Sequence, residues 1–108
     1  MSTGIQMGNI LGMYFMRTPT ITPVSVAAAS SVEQTFTVPG LRVGDLIFDI
    51  TAPSDQAGIY PAKARASAAN TLAIKFTNPT AGPIVPVAGV YTFITARSDG
   101  PALLVAAD

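Results

Sequence analysis

From Pro23 onward, apolar and polar positions alternate in short runs bounded by Gly, Pro, Asn or Asp, and nowhere do apolar residues recur at helical spacing. Alternation sends successive side chains to opposite faces of an extended strand, so each run is read as a strand buried on one side. In VEQTFTV (32–38), Val32, Phe36 and Val38 share one face and Glu33, Thr35 and Thr37 the other. In DLIFDIT (45–51), Leu46, Phe48 and Ile50 form the inward set, opposite Asp45, Ile47 and a solvated Asp49. IYPAKARAS (59–67), TLAIKFT (71–77), GVYTFITAR (89–97) and ALLVA (102–106) complete the series, with Pro61 suited to an edge. The pattern predicts an all-β protein, an antiparallel β-sandwich or small barrel of about 6–8 strands.

Two connections can be read more closely. Pro39 and Gly40 suit the central positions of a type II turn, where the second needs a positive φ. Between the fourth and fifth runs, a three-residue loop at 68–70 with a left-handed Asn70 sets Ala66, Ala64 and Ala62 opposite Leu72, Ile74 and Phe76. A two-residue loop would instead turn Lys63 and Arg65 inward, burying unpaired charge at a cost of several kcal/mol in order of magnitude. The favoured register places Lys63 against Lys75 on the outer face, a repulsion that a carboxylate from elsewhere should relieve.

Residues 1–22 break the pattern. Gly4, Gly8 and Gly12 recur every fourth position, Met7, Met13 and Met16 add flexible apolar bulk, and TPTITP (18–23) excludes helix through its prolines. The glycine spacing formally matches a small-xxx-small helix motif, but no apolar run of membrane length accompanies it. The division read from the sequence is therefore an extended N-terminal arm, 1–22, and a single sandwich domain, 23–108.

Composition narrows the function. Of 108 residues, 49% are hydrophobic and only 11% charged, and the mean hydropathy is +0.46. An ordinary globular chain carries roughly 25% charged residues, so this surface is short of charge and suits coverage by other protein. Six basic residues balance six acidic ones, which leaves no field to attract nucleic acid. No run reaches the ~18 apolar residues of a membrane span, and the first positive charge, Arg17, follows the apolar N-terminal stretch where a signal peptide would have it precede; the chain is read as soluble and unprocessed.

With no His and no Cys, histidine-based triads, thiol nucleophiles and the usual transition-metal sites are excluded. Asp45 and Asp49, four strand residues apart, lie ~13 Å from each other, too far for the ~5–9.5 Å of paired-carboxylate hydrolysis. Ser54 and Asp55 supply too few oxygens for calcium, and Gly40 and Gly44 precede no helix, so no phosphate loop forms. Lys63, Arg65 and Lys75 read as a solubility feature of an outer strand face. No cofactor or metal is expected, and no catalysis.

The succession VEQTFTVPGLRVGDLIFDI, AGIYPAKARASAANTLAIKFTNPTAG and PVAGVYTF resembles a group of small β-sandwich virion structural proteins of tailed bacteriophages. The likeness rests on a Gly-Asp-led strand, on Asn70, Thr71, Leu72, Ile74, Phe76, Asn78 and Thr80, and on the closing Gly89 and Tyr91. It implies a non-enzymatic capsid decoration or cement protein, made in the host cytoplasm and resident in the virion. Its partners would be the major capsid protein or other virion proteins, together with further copies of itself as a trimer or dimer. The alternative is a receptor- or glycan-binding module of a tail or head fibre, with specificity in the 52–58 and 78–88 loops. The protein-contacting residues expected are Met7, Met13, Tyr14, Phe15 and Met16 of the arm, and Tyr91 and Phe93, whose strand is apolar on both faces.

Overall fold

The computed structural model of the chain describes residues 10–98. Six strands, β1 (Ile10–Arg17), β2 (Ser30–Thr37), β3 (Leu46–Thr51), β4 (Tyr60–Ala68), β5 (Thr71–Asn78) and β6 (Thr92–Ser98), form two antiparallel sheets of order β1-β6-β3 and β2-β5-β4. The protein is an all-β antiparallel sandwich. The ALLVA run lies outside the described residues.

Between the sheets lie Leu72, Ile74 and Phe76 of β5, Phe93 of β6, and Tyr91, Val38, Leu41, Ile21 and Val26 from the connections. The Phe76 and Tyr91 rings meet edge to face with centroids 6.0 Å apart. Tyr91 donates its hydroxyl hydrogen to the Val87 carbonyl oxygen at 2.7 Å, which satisfies the one polar atom of a side chain otherwise enclosed in the core.

The expected arm is not separate from the sandwich. Ile10–Arg17 pairs along its length with β6, and residues 18–29 are laced to 80–91. The lacing comprises reciprocal bonds of Ile21 with Gly89 and of Val26 with Ile84, plus Thr18 to Tyr91 and Ala29 to Thr80. Pro19 and Pro23 lack an N–H, so this seam cannot become a regular ladder and stays a chain of isolated bridges. Ile21 and Thr18 are buried in it.

The β4–β5 hairpin follows the register that charge burial demands. Ala66 faces Leu72, Ala64 faces Ile74, and Asn70 is left-handed at φ 58°. Two expected features differ: an irregularity between Pro61 and Lys63 puts Pro61, not Ala62, opposite Phe76, and another between Ala66 and Ala68 pairs Ala68, not Ser67, with Thr71, so the strands run on to a two-residue turn at 69–70 in place of the three-residue loop. Lys63 does face Lys75, and the relieving carboxylate is Glu33, opposite Lys75 on β2 and bonded by both oxygens to Arg65 at 2.8 and 2.9 Å. The Arg65 hydrogen bonds hold the Glu33 carboxyl below its ordinary pKa.

Pro39–Gly40 turns as expected, with Gly40 at φ 99° and Leu41 N–H directed at the Val38 carbonyl. Asn70 ties this turn to the hairpin, because its side-chain oxygen accepts from Gly40 N–H at 2.9 Å and its backbone exchanges bonds with Val38 and Leu41. Asn70→Ala should therefore destabilise the domain by about 1–2 kcal/mol, through αL strain and a lost hydrogen bond, and Asn70→Gly by less, because glycine keeps the backbone conformation. Urea unfolding of the two variants measures the difference.

Candidate functional site

The two sheets show opposite characters to solvent. On the outer face of β2-β5-β4, the cross-strand rows are Glu33–Lys75–Lys63 and Thr35–Ala73–Arg65, polar side chains over the buried Ala73, with the Arg65–Glu33 ion pair across them. On the outer face of β1-β6-β3, the rows are Met13–Ala96–Leu46 and Phe15–Ile94–Phe48. Every one of those six side chains is apolar.

Four of them stand in solvent: Met13 at 53% exposure, Phe15 at 67%, Leu46 at 59% and Phe48 at 43%. Between these flanking pairs the central strand supplies a lower floor, with Ala96 buried beneath its neighbours and Ile94 half-buried. Together the six expose on the order of 500 Å² of apolar surface, within the roughly 300–600 Å² of the largest apolar patch on a typical monomer, a patch that is often functional. Arg17, one row further along, holds its guanidinium carbon 5.8 Å from the Phe15 ring centroid, a cation–π contact at the corner of the face.

Local chemistry explains how the face came to point outward. β1 alternates so that Gly12, Tyr14 and Met16 share the side facing the other sheet, and Met16 packs on the core. In β3 the inward set is not the expected one. Asp49 adopts φ 51° and shifts the register between Phe48 and Thr51, so Ile47 and Ile50, on either side of this bulge, both pack on the core. A bulge inserts one residue and reverses the phase of alternation, which leaves Leu46 and Phe48 outside.

Of the expected contact residues, Met13 and Phe15 lie on this face. Tyr14 is turned to the other side of β1, with the Arg97 guanidinium carbon 5.4 Å from its ring centroid. Met16 packs inward, and Met7 lies outside the described residues. Tyr91 and Phe93 correct the expectation: each is 1% exposed and belongs to the core, so neither can meet a partner. β6, which Tyr91 precedes and Phe93 belongs to, is apolar on both sides because its other side, Ile94 and Ala96, forms the floor of the face. Leu46, Phe48 and Ile94 are the face residues that the sequence reading missed.

Charge is arranged elsewhere. Asp45 is buried and receives Arg97 Nε at 3.0 Å, an Arg97 terminal nitrogen at 2.7 Å and Arg42 N–H at 3.1 Å. The Arg97 hydrogen bonds hold the Asp45 carboxyl below its usual range, against burial, with Arg42 N–H assisting. An ionised carboxylate so engaged is a structural anchor and a poor proton acceptor. Among the described residues no three His, Cys, Asp or Glu side chains gather as a metal site.

A second feature lies at one end of the sandwich. Gln56 donates to the Val85 carbonyl and accepts from Val87 N–H, both at 2.8 Å, and so joins the 52–58 loop to the 84–88 strand connection. Beside this clasp opens a cavity of about 380 Å³, lined by Thr51, Ser54, Asp55, Tyr60 and Pro86 among others. Comparison of the chain with protein-family models, curated proteins and solved structures finds no match.

Proposed function

We propose that the protein is a non-enzymatic structural subunit of a bacteriophage virion, a decoration or cement protein that binds assembled coat protein. The observation that carries this reading is the apolar outer face of β1-β6-β3, on a chain whose opposite sheet is furnished with an ordinary polar surface. A protein that keeps charged and polar side chains on one face and methionine, leucine and phenylalanine on the other has the surface of an assembly component. The sequence resemblance supplies the kind of assembly. Repetition over many symmetry-related copies turns modest contacts into avidity, which is how such a subunit reinforces a lattice.

Purified protein added to phage heads lacking it should co-sediment saturably and raise their resistance to heat or chelation. Phe15→Glu should reduce retention on heads by about tenfold or more, and Thr35→Lys on the polar face should leave it unchanged. Wild-type protein that stays in the supernatant at every concentration overturns the proposal.

A second reading, a receptor- or glycan-binding module of a tail or head fibre, draws on the cavity beside Tyr60, an exposed aromatic ring next to Asp55 and Ser54 on a clasped loop. Glycan-array binding that vanishes in Tyr60→Ala would favour it over cementing.

A further inference from the structure

We infer that the cavity beside the Gln56 clasp is a binding site for an alkylammonium group, the cationic head and methylene stem of a free amine or of a partner's lysine side chain. The inference concerns the cavity on which the glycan reading draws, and it is independent of the capsid reading.

The walls of this cavity are fixed in advance. Gln56 ties the middle of the 52–58 loop to Val85 and Val87 through two 2.8 Å hydrogen bonds. At the end of the loop Gly58 packs so closely that a Cβ there would lie 2.8 Å from Thr80 Cγ2 and 2.9 Å from Ile84 Cδ1. At its start Pro53 lies against Gly89, where a Cβ would come within 2.9 Å of Pro53 Cγ. A loop held at its start, middle and end needs little further ordering when a ligand arrives.

The lining sorts ligands by charge. Ile59, Phe76 and Tyr91 form an apolar floor, and Ser54, Asp55 and the exposed ring of Tyr60 stand at the rim. No lysine or arginine lines the cavity, and the ion pairs among the described residues engage Glu33 and Asp45, which leaves the Asp55 carboxylate without a cation. An anionic ligand is repelled here.

The lining also sorts by hydrogen-bonding sense. Gln56 Nε2 is spent on the Val85 carbonyl, the Tyr91 hydroxyl hydrogen on the Val87 carbonyl and the Thr51 hydroxyl hydrogen on the Asp49 carbonyl. The side-chain groups left to meet a ligand are the Asp55 carboxylate and the Ser54 and Tyr60 hydroxyls, all of them acceptors. An ammonium brings three donors and no acceptor, whereas each sugar hydroxyl asks for both. The Tyr60 ring favours a cation as well. With its head at this rim, the methylene stem lies on the apolar floor, as lysine stems do on protein surfaces. The volume of about 380 Å³ is at the small end for ligand pockets, so the occupant is a small amine or a single side chain.

Titration of the isotope-labelled full chain with n-butylammonium, followed by amide NMR shifts, tests this. Butylammonium should bind in the millimolar range, as its size allows, with the shifts centred on the 51–61 segment. n-Butanol and butyrate carry the same stem without the positive charge and should bind at least about tenfold more weakly. Asp55→Asn should weaken butylammonium by about tenfold or more and Tyr60→Leu by a few-fold, whereas Asp49→Asn, outside this cavity, should change nothing. The amide spectrum shows whether each variant is folded, and the three ligands on the wild type keep the test decisive if one is not. A capped peptide with one lysine separates the sources: binding at least as tight as that of butylammonium assigns the site to a protein's lysine, and weaker binding assigns it to a free amine. No saturable shift with butylammonium, equal binding of butanol or butyrate, or indifference to Asp55→Asn overturns the inference. A neutral methyl glycoside that binds where butylammonium does not overturns it and upholds the glycan reading.

Discussion

Replacing Asn78 with alanine is expected to destabilise the domain by about 3–4 kcal/mol, as much as truncating a buried apolar side chain. Asn78 is fully buried at the end of β5, and its amide group holds three segments together. Nδ2 donates to the carbonyls of Val26 at 3.0 Å, Ala27 at 3.3 Å and Gly82 at 2.9 Å. Oδ1 accepts from Thr80 N–H at 3.0 Å and from the Thr80 hydroxyl at 2.7 Å.

Some of these groups have other partners. Val26 O also receives Ile84 N–H, Ala27 O receives the Ser30 hydroxyl, and Gly82 O lies 2.9 Å from the Thr80 hydroxyl, whose one hydrogen can turn to it once Oδ1 is removed. The unsatisfied remainder is chiefly Thr80 N–H, at about 1–3 kcal/mol, to which the vacated space adds a cavity penalty of similar order. At 4–8 °C per kcal/mol for a domain of this size, the thermal midpoint should fall by roughly 12–32 °C. Asn78→Asp separates the two contributions. It preserves volume but presents a carboxylate to three carbonyls, so a loss at least as large as that of alanine identifies the donated hydrogen bonds as decisive, whereas a mild effect would mean that Asn78 chiefly fills space.

The second large effect concerns Arg97. Arg97→Met should cost about 3 kcal/mol in urea unfolding at neutral pH, because it leaves the buried Asp45 carboxylate with only Arg42 N–H and deprives the Gly40 carbonyl of its 2.8 Å donor. The lower end of the range applies, since Arg97 keeps some contact with water. Asp45→Asn in the Arg97→Met background should recover part of the loss by removing the stranded charge. The pair also sets a pH dependence. The Asp45 pKa is depressed in the folded state, first by Arg97, so its contribution is fully present above the unfolded value of about 3.9 and is lost as pH falls through that value toward the folded one. Stability measured from pH 6 down to pH 2 should decline more steeply in the wild type than in Arg97→Met; equal slopes would sink the assignment.

Local physics was enough to read part of this structure. The β4–β5 register was legible because Lys63 and Arg65 alternate with Ala64 and Ala66, and only one phase keeps the cations out of the core. The Pro39–Gly40 turn and the left-handed Asn70 were legible because few residues tolerate positive φ. The apolar face was half legible. Met13 and Phe15 stood out as surplus apolar bulk, but their opposite numbers on β3 were assigned inward because the bulge at Asp49 leaves no mark in the alternation before it. Tyr91 and Phe93 misled for a related reason: in a strand apolar on both sides, periodicity cannot say which side is core. Neither β1 nor the Asp45–Arg97 pair could be seen, since both depend on residues far apart in sequence, and the prolines and glycines around β1 read as arm.

The pairing of β1 with β6 also governs the order in which the molecule can form. The β4–β5 hairpin is local and closes early, and β2 can dock on it as soon as β5 exists. Among the described strands the first, β1, has the last, β6, as its hydrogen-bonding partner, so at a synthesis rate of roughly 5–20 residues per second it waits several seconds without one. Through that interval the sequence ILGMYFMR is an unpaired, largely apolar strand edge, the kind of segment that recruits other nascent chains or chaperones. The final ladder, and with it the apolar face, is therefore completed only after β6 has been made.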